Sequence, residues 1–387
     1  MASIRILLLT SSFPPNSDAF EGIFILDLLK SLRKKFEITV LAPHQQSSSK
    51  LQRYGNITIK RFQYFWPAKW QGLCYGGGIL ANIKKKPYLA FQIPFLFFFE
   101  TMAAIQLVCQ QEFDILHAHW VLPQGFVAAI IKRFYRLPFV LTAHGSDVFK
   151  INRSLLRPVL SAADACTANS TATRNQIYAI CRERQVQIIP MGVDIKKFKI
   201  KRKKRLIPHE ILFVGRLVES KGLIYLISAM PKVLAKFPQT KLIIIGAGPL
   251  QKKMRSLIEK LHLSQNVSMI GPKKHEVLPF YYSRATVFIS PSVGSEGLGV
   301  TFLEAAACGT CLIGTGLGGI TDIISNKKTG LLVKPADSEA LAVAINKLLG
   351  NSKLRDYLSR NAYSHIKTHY DWRVIGKKFA RVYEGFV

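Results

Sequence analysis

Short hydrophobic runs recur along the chain, and each is followed by a stretch with helical spacing. The runs are IRILLLT (4–10), FEITVLAP (36–43), FDILHAH (113–119), PFVLTAHG (138–145), ILFVGR (211–216), KLIIIGAG (241–248), ATVFISPS (285–292) and CLIGTG (311–316). Continuous apolar runs of this length are typical of parallel strands buried on both faces, and their alternation with helices predicts parallel sheets covered by helices. We therefore predict an α/β protein.

The strand runs fall into two sets separated by a charged stretch. That stretch, DIKKFKIKRKKRLIPHE at 194–210, has the composition of an interdomain linker. A chain of 387 residues also exceeds what one hydrophobic core usually serves. We predict two doubly wound, Rossmann-like domains at 1–198 and 199–370, facing each other across a cleft, with ligands at the carboxyl ends of the strands.

One segment permits two interpretations. KKKPYLAFQIPFLFFFETMAAIQLVC (84–109) is strongly apolar but is interrupted by Glu100, Pro87 and Pro94. A membrane span needs about 20 clean apolar residues. The segment is either a helix packed within the protein or one that dips into a bilayer over residues 87–108, beside the lysines at 84–86. The apolar run at the N-terminus is shorter, contains Arg5, and is interpreted as a buried first strand rather than a signal peptide.

The chain is strongly basic, with 54 Lys and Arg against 23 Asp and Glu and a formal charge of +31. Such a charge attracts polyanions of any kind at low salt. No zinc-finger spacing, RNP-like aromatic run or basic zipper supports nucleic-acid binding, so an anionic membrane surface is the preferred partner. The six cysteines form no disulfide-like framework, which favours a reducing, cytoplasmic compartment.

Basic residues stand where the strand ILFVGR ends. Arg216 follows Gly215 directly, and Lys221 comes just before a predicted helix that begins near Gly222. A bidentate guanidinium, a mobile ammonium and a helix start suit an anion such as a phosphate. The alternative on this stretch alone is a solvated basic loop.

Two carboxylates occupy the apolar, glycine-rich stretch SVGSEGLGVTFLEAAACGTCLIG (292–314). Glu296 precedes a predicted helix, and Glu304 lies more than a turn inside it. The backbone N–H groups of Gly299 and Val300, at the start of this helix, are placed to bind an anion. Ionised groups are costly to bury without partners, so we interpret both carboxylates as ligand-binding. A carboxylate is suited to accept hydrogen bonds from paired sugar hydroxyls.

Two further patterns suggest sites that we do not favour. His117 and His119 stand two apart in HAHW and could suggest a metal site, but we expect strand alternation to point their side chains to opposite faces, which argues against one. The stretch IIIGAGP superficially matches a dinucleotide loop, but Gln251 holds the position of the third glycine. A tight strand-to-helix turn is the preferred interpretation there.

Taken together, these motifs resemble a known family. FVGRLVESKG, PSVGSEGLGVTFLEAAACGTCLIGTGLGGITDII, TGLLVKPAD, TAHGSD and IIPMGVDIKKF are similar to segments of the retaining family-four glycosyltransferases of GT-B fold. The likeness spans nearly the whole chain. It is strongest to members that build bacterial surface polysaccharides and glycolipids. Residues 371–387 resemble the terminal helix that in this fold crosses back to the first domain.

The resemblance implies a set of donor-binding and catalytic residues. Arg216 and Lys221 would clamp the donor diphosphate and stabilise the departing nucleotide, and Glu296 would hold the sugar hydroxyls. The remaining implied positions are Gly299 and Val300 (phosphate amides), Glu304 (ribose), His144 (donor sugar, from the facing domain) and Gly22 (acceptor loop).

The implied reaction is hexosyl transfer from a nucleotide-diphosphate sugar to a hydroxyl of a lipid-linked or polysaccharide acceptor, with retention of configuration. No Asp-x-Asp occurs in the chain, so the resemblance implies no metal cofactor. We expect a cytoplasmic protein attached peripherally to the inner face of the cell membrane, and no nucleic-acid partner. The alternatives are an epimerase or hydrolase of the same fold that acts on nucleotide sugars, and a non-catalytic basic binding subunit.

Overall fold

The chain folds into two compact units, each built around its own parallel sheet. The structure, a computed structural model, describes residues 3–15, 22–32, 35–46, 48–199 and 209–387. The first unit comprises Met1–Pro190 and Ile375–Val387, and the second comprises Met191–Val374. The division thus comes before the expected boundary at residue 198. Residues 200–208 of the predicted linker lie outside the described residues.

The first unit holds an eight-stranded sheet in the order β3-β4-β2-β1-β5-β6-β7-β8, in which only β3 is antiparallel to its neighbour. Its strands are β1 (Ile4–Leu9), β2 (Phe36–Pro43), β3 (Leu51–Tyr54), β4 (Ile57–Phe62), β5 (Ile115–His119), β6 (Phe139–Ala143), β7 (Ala165–Ala168) and β8 (Val186–Ile188). Its helices are α1 (Ile23–Leu32), α2 (Ile79–Lys85), α3 (Ile93–Gln110), α4 (Phe126–Tyr135), α5 (Ser146–Phe149), α6 (Arg153–Ala162) and α7 (Thr171–Ile180).

The second unit holds a six-stranded, fully parallel sheet in the order β11-β10-β9-β12-β13-β14. Its strands are β9 (Glu210–Val214), β10 (Lys241–Ile245), β11 (Val267–Met269), β12 (Val287–Ser290), β13 (Cys311–Thr315) and β14 (Leu331–Val333). Its helices are α8 (Leu223–Leu234), α9 (Gln251–Lys260), α10 (Leu278–Arg284), α11 (Val300–Ala307), α12 (Ile320–Ile323), α13 (Ser338–Leu349) and α14 (Ser352–His369). The α/β prediction is confirmed.

Each sheet has a point at which the direction of winding reverses. In the second unit the first strand, β9, lies between β10 and β12, which is the strand order 3-2-1-4-5-6 of dinucleotide-binding sheets. In the first unit β1 lies between β2 and β5. Loops on either side of such a point diverge and leave a crevice at the carboxyl ends of the strands.

The last helix, α15 (Trp372–Glu384), returns the chain to the first unit. Gly376 lies so close to Ser31 that a Cβ there would be 2.4 Å from the Ser31 hydroxyl oxygen. The Tyr383 ring meets Phe36 edge-on at 5.4 Å and its hydroxyl contacts His117 Nδ1 at 2.7 Å. These contacts make α15 part of the core of the first unit.

Helix α3 buries one stripe of side chains, and Phe97 and Phe99 beside that stripe contact neighbouring segments. Leu96, Glu100, Ala104 and Leu107 are buried, and both Glu100 oxygens accept hydrogen bonds from Gln124 Nε2 at 3.1 and 3.2 Å. Burial raises the pKa of Glu100 to about 8. Residues Pro87–Gln110 are long and apolar enough for a membrane span by length and composition alone. In this structure they form α3 and the short 3-10 turn at Pro87–Gln92 that precedes it, and 28% of the apolar stretch is buried.

Candidate active site

The reversal point of the second sheet brings together the two loops that the sequence singles out. The loop after β9 carries Arg216 and Lys221, and the loop after β12 carries Glu296. Because β9 and β12 are adjacent in the sheet, their carboxyl ends share one crevice. The structure thus places residues that are 75 positions apart in the chain side by side.

The turn after β9 is braced by the glycine loop that follows β10. Gly215 N–H donates to the Ile245 carbonyl at 3.0 Å, and Leu217 N–H donates to the Ala247 carbonyl at 2.9 Å. A Cβ at Gly246, whose φ is 144°, would lie 1.9 Å from the Gly215 carbonyl oxygen. The glycines of IIIGAGP therefore serve close backbone packing, as expected for a tight turn.

The loop that carries Glu296 is attached to the turn that carries Lys221. Val293 and Gly294 both donate their N–H groups to the Ser220 carbonyl, at 2.9 and 3.2 Å. Gly222 has a φ of 62°, and a Cβ there would lie 2.0 Å from the Pro291 carbonyl oxygen. Only glycine fits this contact, so Gly222 holds the two loops in register.

Lys221 and Glu296 form an ion pair at the centre of this crevice. Lys221 Nζ donates to Glu296 Oε2 at 2.5 Å, and Ser292 Oγ donates to the same oxygen at 3.2 Å. Both charged side chains are about one-fifth exposed, at 21% and 18%. The sequence assigns the lysine to a phosphate and the carboxylate to a sugar, and the structure adds that they contact each other.

The loop after β13 fixes the backbone around Glu296. Gly319 N–H donates to the Glu296 carbonyl at 2.9 Å. A Cβ at Gly318 would lie 2.3 Å from that same carbonyl oxygen, and one at Gly319 would lie 2.2 Å from the Gly297 oxygen. Three loops therefore determine where the Glu296 carboxylate lies.

Helix α11 begins beside Glu296. Gly299 caps it with a φ of 90°, a conformation that glycine adopts without strain, and Val300 is its first residue. The first N–H groups of a helix have no partner within the helix and carry partial positive charge. Arg216 is exposed, and within the described part of the chain its guanidinium has no hydrogen bond or ion pair. The crevice thus offers several donors to an anion.

Glu304 lies inside α11 and is 3% exposed. Its Oε1 contacts His275 Nε2 at 2.7 Å, and its Oε2 accepts a hydrogen bond from the Tyr282 hydroxyl at 2.8 Å. Burial and the adjacent carboxylate raise the pKa of Tyr282 well above its usual value, so the hydroxyl remains a donor. Sequence reasoning missed both partners, because neither belongs to a motif near Glu304.

A lysine determines the tautomer of the His275 ring. Lys197 Nζ lies 3.0 Å from His275 Nδ1, and an ammonium can only donate hydrogen bonds. Nδ1 is then the acceptor, so the proton of the neutral ring is on Nε2 and points to Glu304. Phe198 covers the cluster, with its ring centre 5.0 Å from that of His275.

The first unit presents a histidine pair at the carboxyl end of its sheet. His119 ends β5 and His144 follows β6, and His119 Nδ1 lies 2.9 Å from His144 Nε2. The His144 ring also lies 4.7 Å from Trp120 and 5.3 Å from Phe24. His119 Nε2 is buried and, among the described residues, has no hydrogen-bond partner.

The prediction that His117 and His119 point to opposite faces is wrong. Successive strand residues alternate, so residues two apart share a face, and these two ring centres are 4.4 Å apart. His117 Nε2 contacts Thr142 Oγ1 at 2.8 Å and its Nδ1 contacts Tyr383. Among the described residues, no group of three or more His, Cys, Asp or Glu side chains is arranged to hold a metal ion.

Gly22 lies at the start of α1. A Cβ there would lie 2.5 Å from the Ser12 carbonyl oxygen, and its φ is 73°. Its close approach is therefore to the segment that follows β1. Residues 16–21 of the predicted acceptor loop lie outside the described residues, so the role of this loop stays a prediction.

Two family profiles cover most of the chain. The profile described as Glycosyl transferases group 1 matches residues 194–365, and that described as Glycosyltransferase Family 4 matches residues 22–197. The chain belongs to the group 1 glycosyltransferases. The first match contains the crevice at β9 and β12, and the second contains the histidine pair.

Individual relatives agree with this family. A mannosyltransferase of Mycolicibacterium smegmatis, named as GDP-mannose-dependent and acting on phosphatidylinositol monomannoside, is 26% identical over 68% of this chain and 74% of its own. Sucrose-phosphate synthase of Thermosynechococcus elongatus superposes with a TM-score of 0.83 at 22% identity, over 99% of this chain and 98% of its own. Anabaena HepE in complex with UDP and glucose superposes with a TM-score of 0.75 at 19% sequence identity, over 99% of this chain and 100% of its own. These structures confirm the GT-B fold of this group 1 glycosyltransferase.

Burial of the histidines predicts that this glycosyltransferase is unstable in acid. Desolvation lowers the pKa of His117 and His144 to about 3 and that of His119 well below its usual value, whereas it raises that of Asp147 to about 6. The histidines contribute stability above about 6.5 that is lost as the pH falls towards 3, and the raised pKa values of Asp147 and Glu100 offset about two of the three. We expect the free energy of unfolding to fall by about 1.4 kcal/mol per pH unit between about pH 6 and 4.5, and more steeply below that range.

Unfolding measured at a series of pH values checks this expectation. His117→Gln should reduce the slope, because one fewer buried ring must be protonated. The control His369→Gln, at an exposed position, should leave it unchanged. Equal slopes of the free energy of unfolding against pH in the wild type, His117→Gln and His369→Gln would contradict the assignment of acid sensitivity to the buried histidines.

Proposed function

We propose that the protein transfers a hexose-type sugar from a nucleoside-diphosphate sugar to a hydroxyl of a lipid-linked or polysaccharide acceptor, with retention of configuration. The observation that carries this proposal is the Lys221–Glu296 pair at the reversal point of β9 and β12, flanked by Arg216 and by the start of α11. Cations and helix amides suit a diphosphate, and a carboxylate suits sugar hydroxyls.

Each residue of the crevice takes one part of the donor. Arg216 grips the diphosphate with its fork, Lys221 donates to a phosphate oxygen, and the amides of Gly299 and Val300 face the same group. Lys221 has three donors, so it can bind a phosphate while it keeps its contact with Glu296. Glu296 accepts hydrogen bonds from the sugar, and Glu304 accepts them from the ribose, since each carboxylate has about four lone-pair sites.

The proposed reaction breaks the bond between the anomeric carbon and the diphosphate oxygen, and it forms a bond from the acceptor hydroxyl on the same face. The departing diphosphate accepts the proton of that hydroxyl, so charge and protons balance. Catalysis then depends on positioning and on stabilising the negative charge of the leaving group. Arg216 and Lys221 supply that stabilisation without a metal ion. His144 acts on the donor sugar, and Gly22 belongs to the acceptor side.

The relatives support the proposed substrates. The HepE structure was obtained with UDP and glucose, and the mycobacterial relative is named for a GDP-mannose donor and a phosphatidylinositol mannoside acceptor. For this protein we accordingly propose a nucleotide sugar and a glycolipid or glycan, with peripheral attachment to the cytoplasmic face of a membrane.

A thermal-shift panel tests the donor site. A nucleoside diphosphate or nucleotide sugar present at 100 times its dissociation constant should stabilise the wild type by about 2.7 kcal/mol. The shift should be selective for one base, unaffected by chelator, and lost in the double variant Arg216→Ala and Lys221→Ala. The matched control Lys252→Ala and Lys253→Ala removes two exposed charges of the same unit and should keep the shift.

The outcomes separate the alternatives. No shift with any nucleotide, or equal loss in the control, would overturn the donor site and favour a non-catalytic binding subunit. A thermal shift together with conversion of the nucleotide sugar when no acceptor is present, detected by mass spectrometry, would indicate an epimerase or hydrolase. A glycosylated acceptor with the donor's anomeric configuration, read by NMR, is the expected result.

A further inference from the structure

Helices at the surface of a protein normally present polar side chains to water, but the N-terminal half of the outer face of α3 is apolar. Phe98 and Met102, opposite the packed face of the helix, are 58% and 44% exposed. Phe91, in the turn before α3, is 68% exposed. The hydrogen bonds of Glu100 hold the other face against Gln124. The helix is therefore anchored on one side and presents a hydrophobic stripe on the other.

A second segment extends this stripe into a broad surface. Trp66 and Trp70 are 55% and 59% exposed. The Trp66 ring meets Phe99 of α3 at 4.8 Å, and Gln92 Nε2 donates to the Trp70 carbonyl at 2.8 Å. These contacts join the two segments into one patch, which we call the aromatic face: Trp66, Trp70, Tyr88, Phe91, Phe98 and Met102.

Exposed lysines border the aromatic face. Lys84, Lys85 and Lys86 end α2 and lead directly into the turn that carries Tyr88 and Phe91. Lys69 is next to Trp70. The sequence from 38 to 99 contains no Asp or Glu at all. The patch therefore combines large apolar rings with positive charge. Residues 38–99 contribute no acidic side chain that could neutralise this charge.

We propose that the aromatic face docks this protein onto an anionic lipid bilayer, with α3 lying in the plane of the headgroups. Trp and Tyr are favoured at the interface between lipid and water, and each nearby lysine adds attraction to anionic headgroups. A second copy of the chain is a poorer occupant, because self-pairing of the patch brings lysines against lysines. A spanning helix is also disfavoured, because the Glu100 side of α3 belongs to the core.

Vesicle co-sedimentation of the full chain tests this surface. The probes are vesicles of phosphatidylcholine alone and of phosphatidylcholine with phosphatidylglycerol. We expect binding only to the anionic vesicles, with a blue shift of tryptophan emission and release by salt. The triple variant at Lys84, Lys85 and Lys86, each changed to Gln, should bind on the order of a hundredfold more weakly. The apolar variant Phe91→Ser with Phe98→Ser should lose the emission shift.

Matched controls keep the test specific. Lys252, Lys253 and Lys260 are exposed on α9, and changing all three to Gln removes the same charge from the second unit. Val343→Ser with Tyr357→Ser removes exposed apolar groups there. Both controls should bind like the wild type. Equal weakening in the lysine control would overturn the surface in favour of general charge, and unchanged binding of both patch variants would overturn it outright.

The proposed membrane docking rests on the proposed function in one respect only, namely that the acceptor is lipid-linked. Loss of vesicle binding should leave the nucleotide-dependent thermal shift intact, because the patch and the crevice belong to different units. A dimer that is dispersed by Phe98→Ser, seen by analytical ultracentrifugation without vesicles, would contradict the lipid proposal and support self-association. A failed nucleotide test with normal vesicle binding would affect the proposed function alone.

Discussion

Glu304→Ala is expected to destabilise the second unit by about 3 to 5 kcal/mol and to abolish nucleotide binding. The substitution leaves the Tyr282 hydroxyl and the His275 Nε2–H buried without their acceptor, and each such group costs about 1–3 kcal/mol. Truncation of a side chain that is 3% exposed adds a cavity. Denaturant unfolding of the full chain, followed by a probe in the second unit, measures the loss.

Glu304→Gln separates the structural role from the ligand role. Its amide oxygen can still accept from His275, and its amide nitrogen can donate to the Tyr282 oxygen, although the Tyr282 O–H then loses its acceptor. The fold should therefore lose about 1–2 kcal/mol, less than in Glu304→Ala. It removes the negative charge, however, and a ribose bound there should be held about tenfold more weakly. Full affinity in a stable Glu304→Gln protein would contradict the ribose assignment.

Gly222→Ala is expected to be strongly damaging although it adds only a single methyl group. The new Cβ would overlap the Pro291 carbonyl oxygen, and the positive φ adds about 1–2 kcal/mol of strain. The loop must move away from Ser220, which breaks the hydrogen bonds from Val293 and Gly294 and separates Lys221 from Glu296. We expect the free energy of unfolding to fall by about 3 kcal/mol or more and nucleotide binding to be lost.

Gly271→Ala is the matched control for this prediction. Gly271 has a φ of 72°, and a Cβ there has no neighbour within 4 Å. It should therefore show the backbone strain of about 1–2 kcal/mol alone and keep the nucleotide-dependent shift. Melting temperatures and nucleotide-binding isotherms of the two variants separate the effect of backbone strain from that of the overlap with the Pro291 carbonyl. Equal losses of stability and of nucleotide affinity in both variants would mean that the contact with Pro291 is not tight.

The fold follows closely from local pattern. Four of the six strands of the second unit, β9, β10, β12 and β13, were predictable because each is a nearly continuous apolar run, and the turns after β9 and β12 are marked by Gly215, Gly222 and Gly299. The three-residue strands β11 and β14 were not predicted. Parallel order then brings these turns to one edge of the sheet. The positions of Lys221 and Glu296 were therefore predictable, although their direct contact was not.

What sequence reasoning missed depends on contacts between distant residues. His275 and Tyr282 precede Glu304 by 29 and 22 positions and belong to no motif with it. The closeness of His117 and His119 was obscured by an error of strand periodicity, since residues two apart in a strand share a face. The sequence indicated a bilayer contact by residues 87–108 beside the lysines at 84–86 as one alternative. The aromatic face itself was missed, because an apolar helix has no periodic marker of which side is packed and because Trp66 and Trp70 lie outside that segment.

The return of α15 to the first unit also sets an order of folding during synthesis. Residues 191–374 form a continuous unit that can complete its sheet as soon as it leaves the ribosome. The first unit cannot, because Tyr383 and Gly376, which cover His117 and Ser31, are made only after the second unit. Its sheet must wait, partly uncovered, through the synthesis of the whole second unit. Chaperone demand should therefore come from the half of the protein that is translated first.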